Sequence, residues 1–324
     1  LIAEDILQKA LQDPFDKTQC VGLGLKVEGK VRDSYHPQRG LRLLIATDRV
    51  SAFDRVLGSI PFKGQILTCL SYWWFQQLAS LVHHHVRRMP DPNTLECIEC
   101  TPLPVEMVVR RFLTGTTSTS MWVHYQAGER VFCGYVLPEG LRRNQRLNKP
   151  LLTPSTKAPA GQHDQSCSRE EILRQSGLPA DAFDEAAALA MLLFEAAEKR
   201  CAESGLLLVD TKYEFGRTPD GKVVVIDEIH TPDSSRLWKA DSYEERLNAG
   251  EEPESLDKDF IRHYFQTQGF HGEGPIPPFP DAIRVEAARR YVQIFEQLTG
   301  VPFEPNTENP HTRLQNNLAP YQQR

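Results

Sequence analysis

Residues 206–238 read LLLVDTKYEFGRTPDGKVVVIDEIHTPDSSRLW, two aliphatic and β-branched runs, 206–215 and 222–229, around Thr218-Pro219-Asp220-Gly221. Pro presets a turn dihedral, Asp bonds back to its own backbone and Gly tolerates a left-handed turn, so the spacing predicts a hairpin. With Pro219 and Asp220 at the tip, Asp227 falls opposite Lys212 and Val225 opposite Glu214. Strand alternation then places Asp210, Lys212, Glu214 and Asp227 on one face and Glu228 on the other. A slip of one residue would invert the second strand.

Three carboxylates and an ammonium make a poor core surface, because burying uncompensated charge is costly. Hard divalent cations take oxygen ligands that phosphates can complete, so such a face reads as a metal–nucleotide site. A solvated outer face with Lys212 paired to its neighbours fits the same pattern. The loop that follows, Thr231-Pro232-Asp233-Ser234-Ser235-Arg236, favours the ligand reading, since hydroxyls and a guanidinium suit an anion.

Working outward, composition sets the class. The chain has 324 residues, 40% apolar, and a formal charge of −6 with acids and bases interleaved. That suits a water-soluble globular protein and implies no nucleic-acid partner. No apolar run is long enough for a bilayer, and residues 1–12 form an amphipathic helix rather than a signal peptide. The lack of an initiator Met suggests a trimmed start and leaves room for an upstream leader. The seven cysteines fit reduced thiols in the cytoplasm, and Cys97 and Cys100 lack the second pair that zinc would want.

Other stretches carry chemistry. Gly29, Lys30, Val31 and Arg32 lie in a glycine-and-base turn that could lie over phosphates, although a plain surface hairpin reads the same way. Arg49 and Asp54 sit in a polar loop leaving an apolar strand. Residues 66–82 show helical spacing. The run His83-His84-His85 makes a poor metal site because consecutive residues point in different directions. A Pro-rich connection at 101–104 is the expected hinge, before a strand at 105–112 carrying Glu106 and Arg110. The turn 113–118 offers Thr116 for a phosphate, and the loop 152–164 brings Lys157 and Asp164. Residues 184–204 form an Ala-rich helix, 282–298 another, and the polar tail 301–324 is expected on the surface or frayed.

These motifs, in this order, resemble the SAICAR synthetase family: GKVRD (29–33), ATDRVSAFD (46–54), PVEMVVRRFLTG (104–115), TPSTKA (153–158), GQHD (161–164), DTKYEFG (210–216) and IDEIHTPDSSRLW (226–238). The likeness covers about residues 27–300, and the versions at 46–54 and 153–158 are similar to the yeast-like and plant-like branch. It implies an α+β, two-lobed fold with the active site in the cleft. A β-rich ATP lobe would span 1–103, a larger mixed lobe with the metal and CAIR sites 104–300, and a tail 301–324.

It also implies a magnesium-dependent ligase that uses ATP as co-substrate to join the carboxylate of CAIR to L-aspartate, giving SAICAR, ADP and phosphate in purine biosynthesis. Carried over, Gly29, Lys30, Val31, Arg32, Glu106, Lys157 and Asp227 meet ATP. Asp164, Glu214 and Asp227 meet the metal, and Asp210, Lys212, Glu214 and Asp227 form the catalytic set. Arg110, Thr116, Lys212, Asp233, Ser235 and Arg236 hold CAIR, with Asp54 and Arg49 near the aspartate. Departures are Thr116 for a common serine, Gln162 for a common Glu and Pro159 for a common acid; none removes a matched catalytic group. An inactive ATP-binding relative would have lost one of these acids or bases, and a kinase-like phosphotransferase would need HRD and DFG motifs, which are absent. Monomer and homo-oligomer are both open.

Overall fold

The computed structural model describes residues 2–117, 119–157 and 164–322. Ala158, Pro159, Gly161, Gln162 and His163 of the expected loop, and Ser118 of the expected turn, lie outside the described residues. Helix α1 (Glu4–Gln12) precedes β1 (Leu25–Glu28), β2 (Arg32–Gln38) and β3 (Leu41–Ala46), then the hairpin β4 (Arg49–Ala52) and β5 (Arg55–Ser59). Helix α2 (Lys63–Leu78) leads to β6 (Val86–Asp91) and β7 (Thr94–Ile98), and these complete an antiparallel sheet ordered β1-β2-β3-β7-β6.

The second sheet starts with β8 (Thr101–Phe112). After α3 (Met121–Gln126) and the small pair β9 (Val131–Phe132) and β10 (Tyr135–Val136) come β11 (Arg146–Leu152) and β12 (Ser155–Thr156), both paired to β8. Helices α4 (Arg169–Ser176) and α5 (Ala180–Glu203) precede β13 (Leu206–Arg217), β14 (Val223–Ile226) and β15 (Ser235–Lys239), and β13 pairs with β8, β14 and β15. Then follow α6 (Tyr243–Ala249), α7 (Asp259–Thr267), α8 (Asp281–Thr299) and α9 (Pro310–Asn317). This is an α+β fold, and α2, α5 and faces of both sheets share one apolar core. The sequence 101–104, expected as a hinge, is the start of β8 instead. Leu103 alternates inward with Val105, and ahead of Val105 β8 lacks its β12 neighbour, where a Pro without N–H is tolerated.

The central hairpin forms, one residue out of the expected register. Glu214 pairs with Ile226 and Phe215 with Val225, so Asp227 is not opposite Lys212. The cause is the turn: Gly221 N donates to Thr218 O, Thr218 N donates to Lys222 O, and Gly221 sits at φ 88°. That is a three-residue loop, a type I turn closed by a left-handed Gly, rather than a two-residue tip. Val223 and Val225 thereby face the core with Tyr213 and Phe215. A second irregularity lies between Leu208 and Asp210 on the β15 side. Leu206 and Leu208 are core residues before it, whereas beyond it Tyr213 and Phe215 are, and Asp210, Lys212 and Glu214 turn to the opposite face.

The tail is folded, not frayed. Leu314 and Leu318, one helical turn apart, pack with Phe15 and Leu23 ahead of the first sheet and with Tyr35, Leu43 and Ile45 on it. Arg313 Nε donates to Asp91 at 2.9 Å, with the two side chains 2% and 0% exposed. Replacing Arg313 by Ala strands a buried carboxylate, and we expect a loss of ~3–5 kcal/mol in urea unfolding; a loss below ~1 kcal/mol would contradict this packing.

Candidate active site

The polar face of the second sheet is built by cross-strand pairing. Arg110 pairs with Asp210 and Glu106 with Glu214 on β8 and β13, and Asp210 also pairs with Arg236 on β15. Asp210 is therefore answered laterally on both sides. Asp210 accepts from Arg110 at 3.1 Å and from Arg236 at 2.5 Å, and Arg236 also donates to Asp259. The facing glutamates would repel, but Lys212 Nζ lies 2.7 Å from Glu106 and 2.9 Å from Glu214. Lys157 approaches the other Glu214 oxygen at 2.6 Å. Burial alone would lower the Lys212 ammonium and raise the Glu214 carboxyl; the opposite charges outweigh it and hold both ionised.

Two adjoining cavities open here. The smaller, about 290 Å³, lies between the sheets and is lined by Gly29, Lys30, Val31 and Arg32 on one side and Glu214, Ile226 and Asp227 on the other. The larger, about 840 Å³, covers the polar face and holds Glu106, Arg110, Thr116, Asp164, Asp210, Lys212, Asp233, Ser235 and Arg236, with Asp54 at the β4–β5 hairpin. Lys30 lines both, and its ammonium is 2.6 Å from Asp54. Gly29 suits its turn because a Cβ there would stand 2.4 Å from Arg32 O.

Asp227 reaches the smaller cavity although the register turns its strand parity inward. Its backbone is left-handed, φ 69°, which breaks the alternation just past Ile226. Arg32 Nη2 lies 2.5 Å from Asp227, and Arg32 Nη1 lies 2.8 Å from Glu228. Glu228, expected on the far face, thus shares the same guanidinium. Burial pushes Asp227 up to about 6, opposed by Arg32 and reinforced by Glu214 and Glu228.

Several expected residues are placed differently. Arg49 lines neither cavity: its guanidinium donates to Gly29 O, Lys30 O, Asp16 O and Asp33, holding the glycine turn from behind. Glu106, expected with ATP, opens onto the larger cavity, because its strand lies on the far side of β13 from β14. Asp164 is in the larger cavity, apart from Glu214 and Asp227 in the smaller. Asp233 is tied to Lys63 at 2.8 Å, Tyr291 at 3.1 Å and Lys258 at 3.9 Å, so it anchors neighbouring groups.

Sequence reasoning passed over Asp257, Lys258 and Arg262, all lining the larger cavity. Burial pushes Lys258 down to about 8 and, with Asp259, Asp257 up to about 7. The only signal was the dense alternation of charge in LDKDFIR (256–262), which reads equally as an exposed helix start.

Fold and charges together define a charged cleft rich in guanidinium and ammonium groups, with a glycine-and-base turn along its seam, the class of an enzyme site that takes anionic substrates. The model of the SAICAR synthetase family matches residues 25–275. Phosphoribosylaminoimidazole-succinocarboxamide synthase of Legionella pneumophila (strain Lens) is 44% identical over 292 residues, 90% of this chain and 93% of that one. The chloroplastic enzyme of Arabidopsis thaliana is 43% identical over 319 residues, 98% and 77% of the two chains. The solved SAICAR synthase of Saccharomyces cerevisiae, complexed with SAICAR, superposes with a TM-score of 0.76 at 30% identity, covering 90% of this chain and all of that one. The chain belongs to the SAICAR synthetase family.

A carboxyl raised to about 6 when folded, against about 4 unfolded, holds a proton in that window that the unfolded chain has lost. Its contribution to stability is greatest below about pH 4 and falls as the pH rises through about 6. Asp227→Asn is accordingly expected to melt at or above the wild-type temperature at alkaline pH, with the difference shrinking in acid; a clear drop at alkaline pH would mean that the Arg32 pair outweighs burial.

Proposed function

We propose that the chain is a carbon–nitrogen ligase that uses ATP to join the carboxylate of CAIR to the amine of L-aspartate, yielding SAICAR, ADP and phosphate. The observation that carries this reading in the site is the pair of adjoining cavities with Lys30 common to both. A carboxylate at neutral pH is a poor electrophile. Transfer of the terminal phosphoryl group of ATP to it makes a mixed anhydride, and the aspartate amine then displaces phosphate. Such chemistry rests on positioning and on neutralising charge.

In this reading the smaller cavity takes the nucleotide, with Gly29, Lys30, Val31 and Arg32 over the phosphates and Lys157 beside Glu214, while Glu106 opens onto the larger cavity and shares Lys212 with Glu214. Glu214 and Asp227 line the same cavity and present only oxygen donors, a donor set that fits Mg2+; burial chiefly raises the Asp227 carboxyl, and Glu214 adds to it. Those two acids would hold the ion, with Asp164 near a further one; when bound it would neutralise phosphate charge. Arg110, Arg236 and Ser235, with Thr116, hold the ribose phosphate of CAIR, and Asp210 keeps both guanidinium groups in place. Lys212 faces the imidazole. Lys258 and Arg262 supply cationic charge for the carboxylates of aspartate, and Asp54 lies by its amine. We retain 1–103 as the lobe over the nucleotide and 104–300 as the lobe holding the acceptor.

Among the described residues no helix is long and apolar enough to cross a membrane. All seven cysteines are free thiols, which supports a reducing compartment, the cytoplasm in our reading.

ADP release should require CAIR and L-aspartate together; equal release without aspartate would overturn the ligase reading. Arg236→Ala should weaken CAIR binding ~10–100-fold, the worth of a charge-assisted hydrogen bond to phosphate. Titration showing unchanged affinity would remove Arg236 from that role.

A further inference from the structure

We infer that His85 is a positioning residue for nucleotide binding: its imidazole fixes the left-handed backbone of Asp227 and so aims that carboxylate into the smaller cavity. The inference rests on the nucleotide reading of that cavity.

The histidine run 83–85 lies beside β14 at the seam between the sheets. Val225 N donates to His83 O and His85 N donates to Val225 O, each at 3.2 Å, while Ile98 N donates to His85 O at 2.7 Å. The backbone of His85 is thus bound to both sheets. Its side chain is buried and places Nε2 3.3 Å from Asp227 O. A carbonyl only accepts, so Nε2 carries the hydrogen. The alternative partner, Cys97 Sγ, is more distant at 3.8 Å and weaker. Burial holds the imidazole neutral, pushing it down to about 3.

Asp227 needs such a restraint. Left-handed backbone is disfavoured for residues with a side chain, and continued strand alternation would send Asp227 to the core side with Val223 and Val225. A donor fixed by two sheets and aimed at the Asp227 carbonyl selects the turned conformation. It also gives the histidine a structural role, with Nε2 committed to the carbonyl.

The test compares His85→Leu, which removes the donor, with His85→Gln, whose amide can replace Nε2–H. Calorimetry of ADP with and without Mg2+ is combined with KM for ATP, kcat and melting temperature. Loss of one restraining hydrogen bond predicts Mg-ADP affinity ~5-fold weaker in His85→Leu, a matching rise in KM for ATP, and kcat within roughly twofold of wild type. His85→Gln should recover most of the loss. A folded His85→Leu that binds Mg-ADP like wild type, or a His85→Gln no better than His85→Leu, would overturn the inference and leave His85 a packing residue. Should the Leu variant not fold, His85→Gln decides alone: near-wild-type affinity supports the role and a large loss refutes it. Asp227→Asn is the control, since wild-type Mg-ADP affinity there would refute the nucleotide reading itself.

Discussion

Two glutamates placed directly across a strand pair should push the strands apart, and in this protein they sit on the polar face of the second sheet. Glu106 and Glu214 face each other on β8 and β13, and the ammonium of Lys212 lies between them. That single cation lets the longest ladder of the second sheet run through its polar face. The sheet in turn holds Arg110, Asp210 and Arg236 in line. Lysine suits the position because a compact ammonium can be shared by two carboxylates, whereas a planar guanidinium would favour one of them bidentately.

The acidic ribbon was legible from sequence because turn chemistry and strand alternation are local properties. Its register was not. The difference between a two-residue tip and a three-residue loop turns on whether Gly221 closes the turn in the left-handed region, and Thr-Pro-Asp-Gly admits both. By alternation alone the true register would have placed Asp227 inward, so Glu214 and Asp227 come to line one cavity through two departures that cancel, a shifted turn and a left-handed Asp227, while Asp210 lines the other. Only tertiary contacts, among them the buried His85, distinguish those cases.

Other features stayed hidden because they depend on distant partners. Arg49 sits in a polar motif, but its surroundings are backbone carbonyls of the glycine turn and Asp33, which no spacing rule brings together. The polar tail was expected on the surface or frayed. Its two leucines fall one turn apart, and Asp91, more than two hundred residues earlier, supplies the charge that lets Arg313 be buried. Lys258 and Arg262 are one turn apart at the start of α7 and look like solvent charge until the fold turns them over the larger cavity.

The internal pairing of site charges bears on how ligands compete. Lys30 is held by Asp54, Asp210 by two arginines, and Glu214 by two lysines. An incoming phosphate must displace a carboxylate from its cation, so part of the attraction is offset by the pair that is broken. This offset differs between the pairs. Lys30 and Asp54 are both more than half exposed, and water screens their pairing, so the exchange costs little. Arg236 and Asp210 are about nine-tenths buried, and separating them would strand a charge. An anion entering the larger cavity would therefore gain most by adding to the Arg110–Asp210–Arg236 cluster rather than dividing it, with Asp210 kept as the brace between the two guanidiniums. The larger cavity thus combines a rigid, pre-paired guanidinium cluster with a loosely latched lysine at its edge, and the two would respond differently to an incoming anion.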